Sequence, residues 1–363
     1  MSINTLLAGP VLRRMQSERI TLWLATSRPV QWRLALFPDK HDSQVHEIRG
    51  HCRELKVAEH YYIYLIDLPL NMPLPTDTWV GYELSYKHGA DGEWINLTQE
   101  APHLLYPGRS TLGFVIQSQI RSVLHGSCRK PHYARKEGSS AGDGLVRADQ
   151  HLLELAATPT EWPALLMMGG DQIYTDDVAG PMLVAIHRLL DELNSPAEPL
   201  PGTQLHSSHT LHREQPHYYT RDQLLPKTRA NKDIRTVLFT GVKKPVFTTD
   251  SARNHLISLS EVMAMYLLVW SPIPWRYTDM TIPPEVPTEF AERYEAQLEA
   301  MEEFVAELDC VHRLMAHIPV AMMFDDHDIT DDWNLSAEWE ETAYGEPFSR
   351  RIIGNALVAY LVC

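Results

Sequence analysis

From the N-terminus to about residue 115, apolar and polar positions alternate with the period of a half-buried strand. The runs ERITLWLAT (Glu18 to Thr26), VQWRLALF (Val30 to Phe37), HYYIYLIDLPL (His60 to Leu70) and TWVGYELSY (Thr78 to Tyr86) place aromatic and β-branched residues at alternate positions. Pro, Asn, Asp and Gly separate them, as turns require. Short strands recurring at such intervals predict a β-sandwich over residues 1–115.

At Ser118 the pattern changes. SQIRSVLHGSCRKPH reads as a short strand ending in Gly126-Ser127-Cys128-Arg129. ADQHLLELAATPTEW follows, with Leu152, Leu153, Leu155 and Ala156 on one helical face. Ala164 to Met168 is then a continuous apolar run, entered through Pro163 and stopped by Gly169-Gly170, which fits a strand buried on both faces. Strand, helix, strand is a βαβ unit and favours a parallel sheet under helices. Val178 to Leu193 predicts an amphipathic helix ended by Asn194 and Pro196, and Ser258 to Val269 a buried one stopped by Ser271-Pro272. Between them, residues 195–232 are polar and irregular, a surface insertion. Thr288 to His317 predicts one long helix, with apolar residues every three or four positions from Phe290 to Met315. Ile318 to Phe324 is a second buried strand, and Ile352 to Val362 an apolar helix. The fold class expected is α/β (α+β overall): the sandwich, then an α/β domain over residues 116–363.

Composition narrows the partners. The chain has 363 residues, 44% of them hydrophobic, which is enough for a sizeable core. Its net charge of −15 argues against a nonspecific nucleic-acid binder, yet allows a phosphorylated substrate where bound cations reverse the local field. No stretch reaches the ~18 apolar residues of a membrane span, and the N-terminus lacks a signal-peptide pattern, so a cytoplasmic protein is expected. Cys52, Cys128, Cys310 and Cys363 lie far apart and form no disulfide framework.

Three apolar strands each end in reactive groups: Cys128, then Asp171 with Tyr174, then Asp325 to Asp328. In a parallel sheet these ends share one edge, where ligands bind. Carboxylates suit hard or borderline cations and a phenolate suits a trivalent one; Asp176 and Asp177 add further oxygens. Plainer readings stand beside this one. GDQIYTDD (Gly170 to Asp177) would also serve as a turn capping a helix that begins near Asp176, and DDHDITDD (Asp325 to Asp332) as a solvated loop. His206, His209, His212 and His217 would bind a metal only if their insertion folded over the sheet edge; His41, His46, His51 and His60 read as surface or sheet residues.

HGSCR (His125 to Arg129), GDQIYTDD and FDDHDITDDWN (Phe324 to Asn334), in this order and spacing behind a β-sandwich, resemble the alkaline phosphatase D-like branch of the calcineurin-like metallophosphoesterases. The resemblance implies a metal-dependent phosphatase or phosphodiesterase in which metal-bound hydroxide attacks phosphorus, acting on a phosphorylated small molecule or a phosphodiester. It makes Asp171 the carboxylate bridging two ions. Tyr174 and Cys128 would ligate an iron-like ion, and Asp326, or its neighbour Asp325, a second ion of calcium, manganese or magnesium. His327 would donate the proton, with Asp328 orienting it, and Arg129 would contact phosphate. The family's later histidine ligands have no counterpart, since no histidine follows His327. The chain therefore reads as the N-terminal portion of such a domain, with a loosely filled second metal site, weak activity, and exposed apolar surface that favours homo-oligomers. The competing expectation is an inactive remnant that at most binds metal or phosphate.

Overall fold

The computed structural model describes residues 3–38, 43–48, 50–132, 142–203, 205–226, 246–247 and 252–363. His41 and the end of the polar insertion, 227–232, lie outside them.

The period-two stretches are strands. β1 (Leu6–Gln16), β2 (Arg19–Thr26), β3 (Gln31–Phe37), β4 (Gln44–Glu47), β5 (Cys52–Ala58), β6 (Tyr61–Pro69), β7 (Trp79–Lys87), β8 (Ile95–Asn96) and β9 (Leu112–Val115) form two antiparallel sheets. One has the order β1-β2-β6-β5; the other runs β4-β3-β7-β8, with β9 also on β7. Leu22, Leu24, Tyr64 and Ile66 of the first sheet meet Trp32, Leu34, Val80, Tyr82 and Leu84 of the second in a closed core. This is the expected sandwich.

The intervening positions of the first sheet are buried as well. Leu7, Val11, Trp23, Ala25, Tyr61 and Ile63 join a second core built with the following helices. Those helices are α1 (Gly144–Glu154), α2 (Gly180–Glu192), α3 (Leu259–Trp270), α4 (Ala291–Ala306), α5 (Leu308–Met315), α6 (Ala337–Gly345) and α7 (Pro347–Val362). Ser258 caps α3 in a capping box with Glu261, which fixes the start that the sequence predicts. Among the described residues no helix is long and apolar enough to cross a membrane.

Two expectations need correction. The long helix over Thr288–His317 is two helices, α4 and α5, meeting at Glu307 after a turn over Thr288–Phe290. The buried positions Tyr294, Met301, Phe304, Leu308, Val311 and Met315 keep helical spacing across the joint, so periodicity does not reveal the break. Asp176 does not cap a helix either: α2 begins at Gly180 and its cap is Ala179.

The remaining strands, β10 (Leu124–Gly126), β11 (Leu166–Met168) and β12 (Val320–Met322), make a separate parallel sheet in that order. Their pairing aligns Gly126 with Met168 and Met168 with Met322, so all three strands end at one level.

Candidate metal centre

Beyond that level the three chain exits converge. The Cys128 amide donates to the Gly170 carbonyl at 3.2 Å, and the Met323 amide to the Met168 carbonyl at 2.9 Å. Gln172 bridges the second and third exits, its side-chain amide donating to the carbonyls of Met168 and Met323 at 3.2 and 3.0 Å. Cys128 and Asp171 both sit in left-handed backbone, at φ 59° and 44°. That conformation costs ~1 kcal/mol or more for a residue with a Cβ and persists where the surroundings impose it. Gly170, at φ 150°, lets Asp325 approach: a Cβ there would lie 3.0 Å from the Asp325 Cβ.

Three of the predicted residues come together as potential ligands. One oxygen each from Asp171 and Asp326 and one ring nitrogen of His327 lie within 4.8 Å of one another. Asp171 is buried; Tyr174 donates to its Oδ2 at 3.1 Å, and its Oδ1 has no hydrogen-bond partner. Burial pushes the Asp171 carboxyl above its usual range. A buried carboxylate oxygen without a donor is costly, and a cation satisfies it. The donor set thus fits a hard or borderline ion. Cys128, whose Sγ lies 3.3 Å from the Ser127 hydroxyl, is outside that three-residue group but near enough to act on both the Asp171 carboxyl and the Tyr174 phenol, so a soft ligand stands on the same side. Burial, with Asp171 and Cys128 beside it, holds the Tyr174 phenol protonated far above its ordinary range. Only a strongly polarising ion would displace that proton.

His327 stacks on Tyr174, ring centroids 4.6 Å apart. Its Nδ1 lies 2.9 and 3.0 Å from the two oxygens of Asp176. Burial alone would lower the imidazole, but the hydrogen bond and charge of Asp176, with Asp171 and Asp326 nearby, raise it to about 9. Asp176 is fixed in turn by the Asp331 amide at 2.9 Å.

The carboxylate that meets the His327 ring is therefore Asp176 rather than Asp328. Asp328 turns inward and accepts the amides of Gln172, Ile173 and Asp325 at 3.1, 3.0 and 3.0 Å, clasping the loop after β11 to the loop after β12. Burial raises its carboxyl to about 7 against the pull of those amides. The sequence names both aspartates. It lacks the fold-back of the TDD turn, where the Thr175 amide donates to the His327 carbonyl at 2.9 Å and sets Asp176 against the ring.

Other expected residues are engaged elsewhere. Asp325 is exposed and outside the ligand group; its Oδ1 accepts the Asp326 amide at 3.0 Å. Arg129 donates to Asp143 at 2.7 and 2.8 Å and to the Val269 carbonyl at 2.6 Å, so its guanidinium builds the wall of the site. Lys130, not singled out from sequence, pairs with Asp177 and lies 5.7 Å from the Tyr174 ring centroid. None of the insertion histidines belongs to the ligand group. His206 and His209 are exposed, and His212 is 2.9 Å from the Ser258 hydroxyl. The acidic stretch after β12 is a structured turn, not a loose loop, since Asp325, Asp326 and Asp328 all accept backbone amides.

No family model matches the chain. No curated protein matches it. Among solved structures the chain is similar to the structure of PhoD, at 12% identity and a TM-score of 0.38, with 100% of the chain aligned to 47% of that one. The chain thus spans about half the length of that structure.

Proposed function

We propose that the chain is a metal-dependent phosphoester hydrolase whose centre is formed by Asp171, Asp326 and His327. The observation that carries the reading is the convergence of these three at the end of a parallel sheet, with the buried Asp171 Oδ1 lacking any partner. Asp171 and Asp326 would hold the ion, with Tyr174 and Cys128 on the Asp171 side. When bound, the ion supplies Lewis acidity toward a phosphoryl oxygen and acidifies water. A histidine held protonated donates rather than ligates, so His327 acts as the acid for the leaving oxygen, aimed by Asp176 and by its stack on Tyr174. Asp328 fixes the two loops that carry these groups.

Protein loaded with iron, manganese or calcium should hydrolyse a chromogenic phosphoester, and Asp171→Ala and His327→Ala should each remove most of the rate. Activity unchanged from the unmodified protein in both variants would sink the assignment. A second reading, a metal-binding remnant without turnover, is favoured by the size of the ligand group: among the described residues it contains three donors, enough for one ion. Turnover separates the two: metal-dependent hydrolysis lost in Asp171→Ala and His327→Ala supports the hydrolase, and tight binding of one equivalent of metal without hydrolysis supports the remnant.

A further inference from the structure

A cleft of ≈870 Å³ starts at Cys128, Asp171 and Tyr174 and is bounded by β10, β11, α1 and α4. That is the size of a site for an organic ligand, well beyond what a phosphoryl group alone needs. Leu124, Leu145, Leu166, Met168 and Phe304 line it. Two cations in the same wall already have partners. Arg129 binds Asp143 and lies 4.5 Å from the Phe304 ring centroid, and Lys130 binds Asp177. The exposed side chains of Arg147, His151 and Glu303 line the cleft where it meets solvent. Among the described residues, His125 and Ser127 beside Cys128 are polar, while the cleft beyond them, along Leu145, Leu166, Met168 and Phe304, offers apolar surface against which the hydroxyls of a sugar or nucleoside would lack partners.

Resting on the phosphoesterase reading above, we infer that this cleft takes the organic part of the ester, and that the substrate class is a phosphoester of an apolar alkyl or aryl alcohol. The phosphoryl end lies at Asp171 and Tyr174, and the hydrocarbon runs along Leu166 and Met168 toward Phe304.

Ethylphosphonate and octylphosphonate cannot be hydrolysed, so they probe the cleft whether or not turnover occurs. Calorimetric titration of the metal-loaded protein, below micelle-forming concentrations, should give octylphosphonate at least about tenfold tighter binding, since each methylene buried contributes a factor of about three to four. Ala300→Trp and Ala148→Trp, at partly exposed positions lining the cleft, should each bring octylphosphonate back toward the ethyl value. Equal affinity for the two phosphonates in the unmodified protein would overturn the inference, and so would a gain that survives both tryptophans. Hydrolysis of ethyl and octyl phosphate, run in parallel, separates the two readings. Turnover without chain-length preference sinks the substrate class and leaves the phosphoesterase reading standing. No turnover, with the octyl gain intact, sinks catalysis and leaves the cleft's preference for hydrocarbon in place.

Discussion

The Nδ1 of His327 lies 2.9 Å from Oδ2 of Asp176, and this contact ties the turn after β12 to the loop that leaves β11. The side chains are 151 residues apart in sequence. Their pairing sets both the direction of the imidazole and its charge, and a prediction follows for each.

Asp176→Asn removes the largest influence that raises His327 above its ordinary value, so its titration midpoint should fall from about 9 by roughly one unit or more. Histidine resonances followed against pH in the metal-free protein would show this. The sign for stability follows from the raised value: the pair stabilises the fold fully below the ordinary imidazole range, and the benefit is lost as pH rises through about 9. If the midpoint does not move, the charge of Asp176 is not what holds the proton.

Under the proposed hydrolase reading, Asp176 is the carboxylate left to hold the His327 proton once an ion engages Asp171 and Asp326, so activity should extend to the alkaline side. His327→Ala should lose the alkaline limb and slow most with poor leaving groups. Asp176→Asn should move that limb toward neutral pH. A limb left in place by His327→Ala would remove His327 as the acid.

Metal should stabilise the protein. Manganese at a hundredfold excess over its dissociation constant adds about 2.7 kcal/mol, read as a rise in melting temperature that a chelator reverses. Asp171→Ala should abolish the rise, since it deletes the buried oxygen that lacks a donor. With ferric ion, Tyr174→Phe should lose any visible absorption that phenolate ligation gives the unmodified protein. A full thermal shift in Asp171→Ala would place the ion elsewhere.

A buried ion cluster should contribute to stability. Arg221 and Glu261 are wholly buried and joined at 2.7 Å, with His187 2.9 Å from the same Glu261 oxygen. The other oxygen accepts the amides of Ile257 and Ser258, both at 2.9 Å. Burial alone would raise the Glu261 carboxyl, yet Arg221 and the adjoining histidines hold it well below its usual range. Glu261→Ala leaves an uncompensated guanidinium in the core and should cost about 3–5 kcal/mol in denaturant unfolding. A loss under about 1 kcal/mol would mean that the cluster opens to water.

Acid should weaken the fold through two other buried imidazoles. Burial lowers His312 to about 3 and His317 to about 4. His312 Nε2 is 2.8 Å from the Gly9 carbonyl, and His317 Nε2 2.9 Å from that of Leu104. Above the ordinary imidazole value both states are neutral and nothing is lost. As pH falls from there toward about 4, only the unfolded chain takes up these protons, so each group removes up to about 1.4 kcal/mol per pH unit. Unfolding midpoints at pH 7, 6 and 5 should fall accordingly, and His317→Asn should flatten the dependence. A midpoint constant over that range would contradict the burial of both rings.

Much of the centre was legible because its residues directly follow apolar runs. Met168 and Gly170 announce the end of β11, Phe324 the exit from β12, and Gly126 that of β10; parallel pairing then brings Asp171, Asp326 and Cys128 to one edge. What remained hidden depends on contacts across space. Nothing in GDQIYTDD, with its three aspartates, or DDHDITDD, with its five, tells Asp176 from Asp328, because their roles follow from how the Thr175 turn folds against His327. Arg129 reads as a phosphate ligand until Asp143 and the Val269 carbonyl are seen to occupy it. The joint at Glu307 is silent because the apolar spacing runs through it, and His212 is drawn toward Glu261 by packing that no local pattern records.

Along β2 the sheet β1-β2-β6-β5 is covered on both faces: Leu22 and Leu24 point into the sandwich, while Trp23 meets Trp270 of α3 edge-on at 5.6 Å. A piece ending at residue 115 would lay bare Leu7, Val11, Trp23, Ala25, Tyr61 and Ile63 together. The sandwich is thus no removable module, and heating should melt it and the parallel sheet in one transition, with calorimetric and van't Hoff enthalpies in agreement.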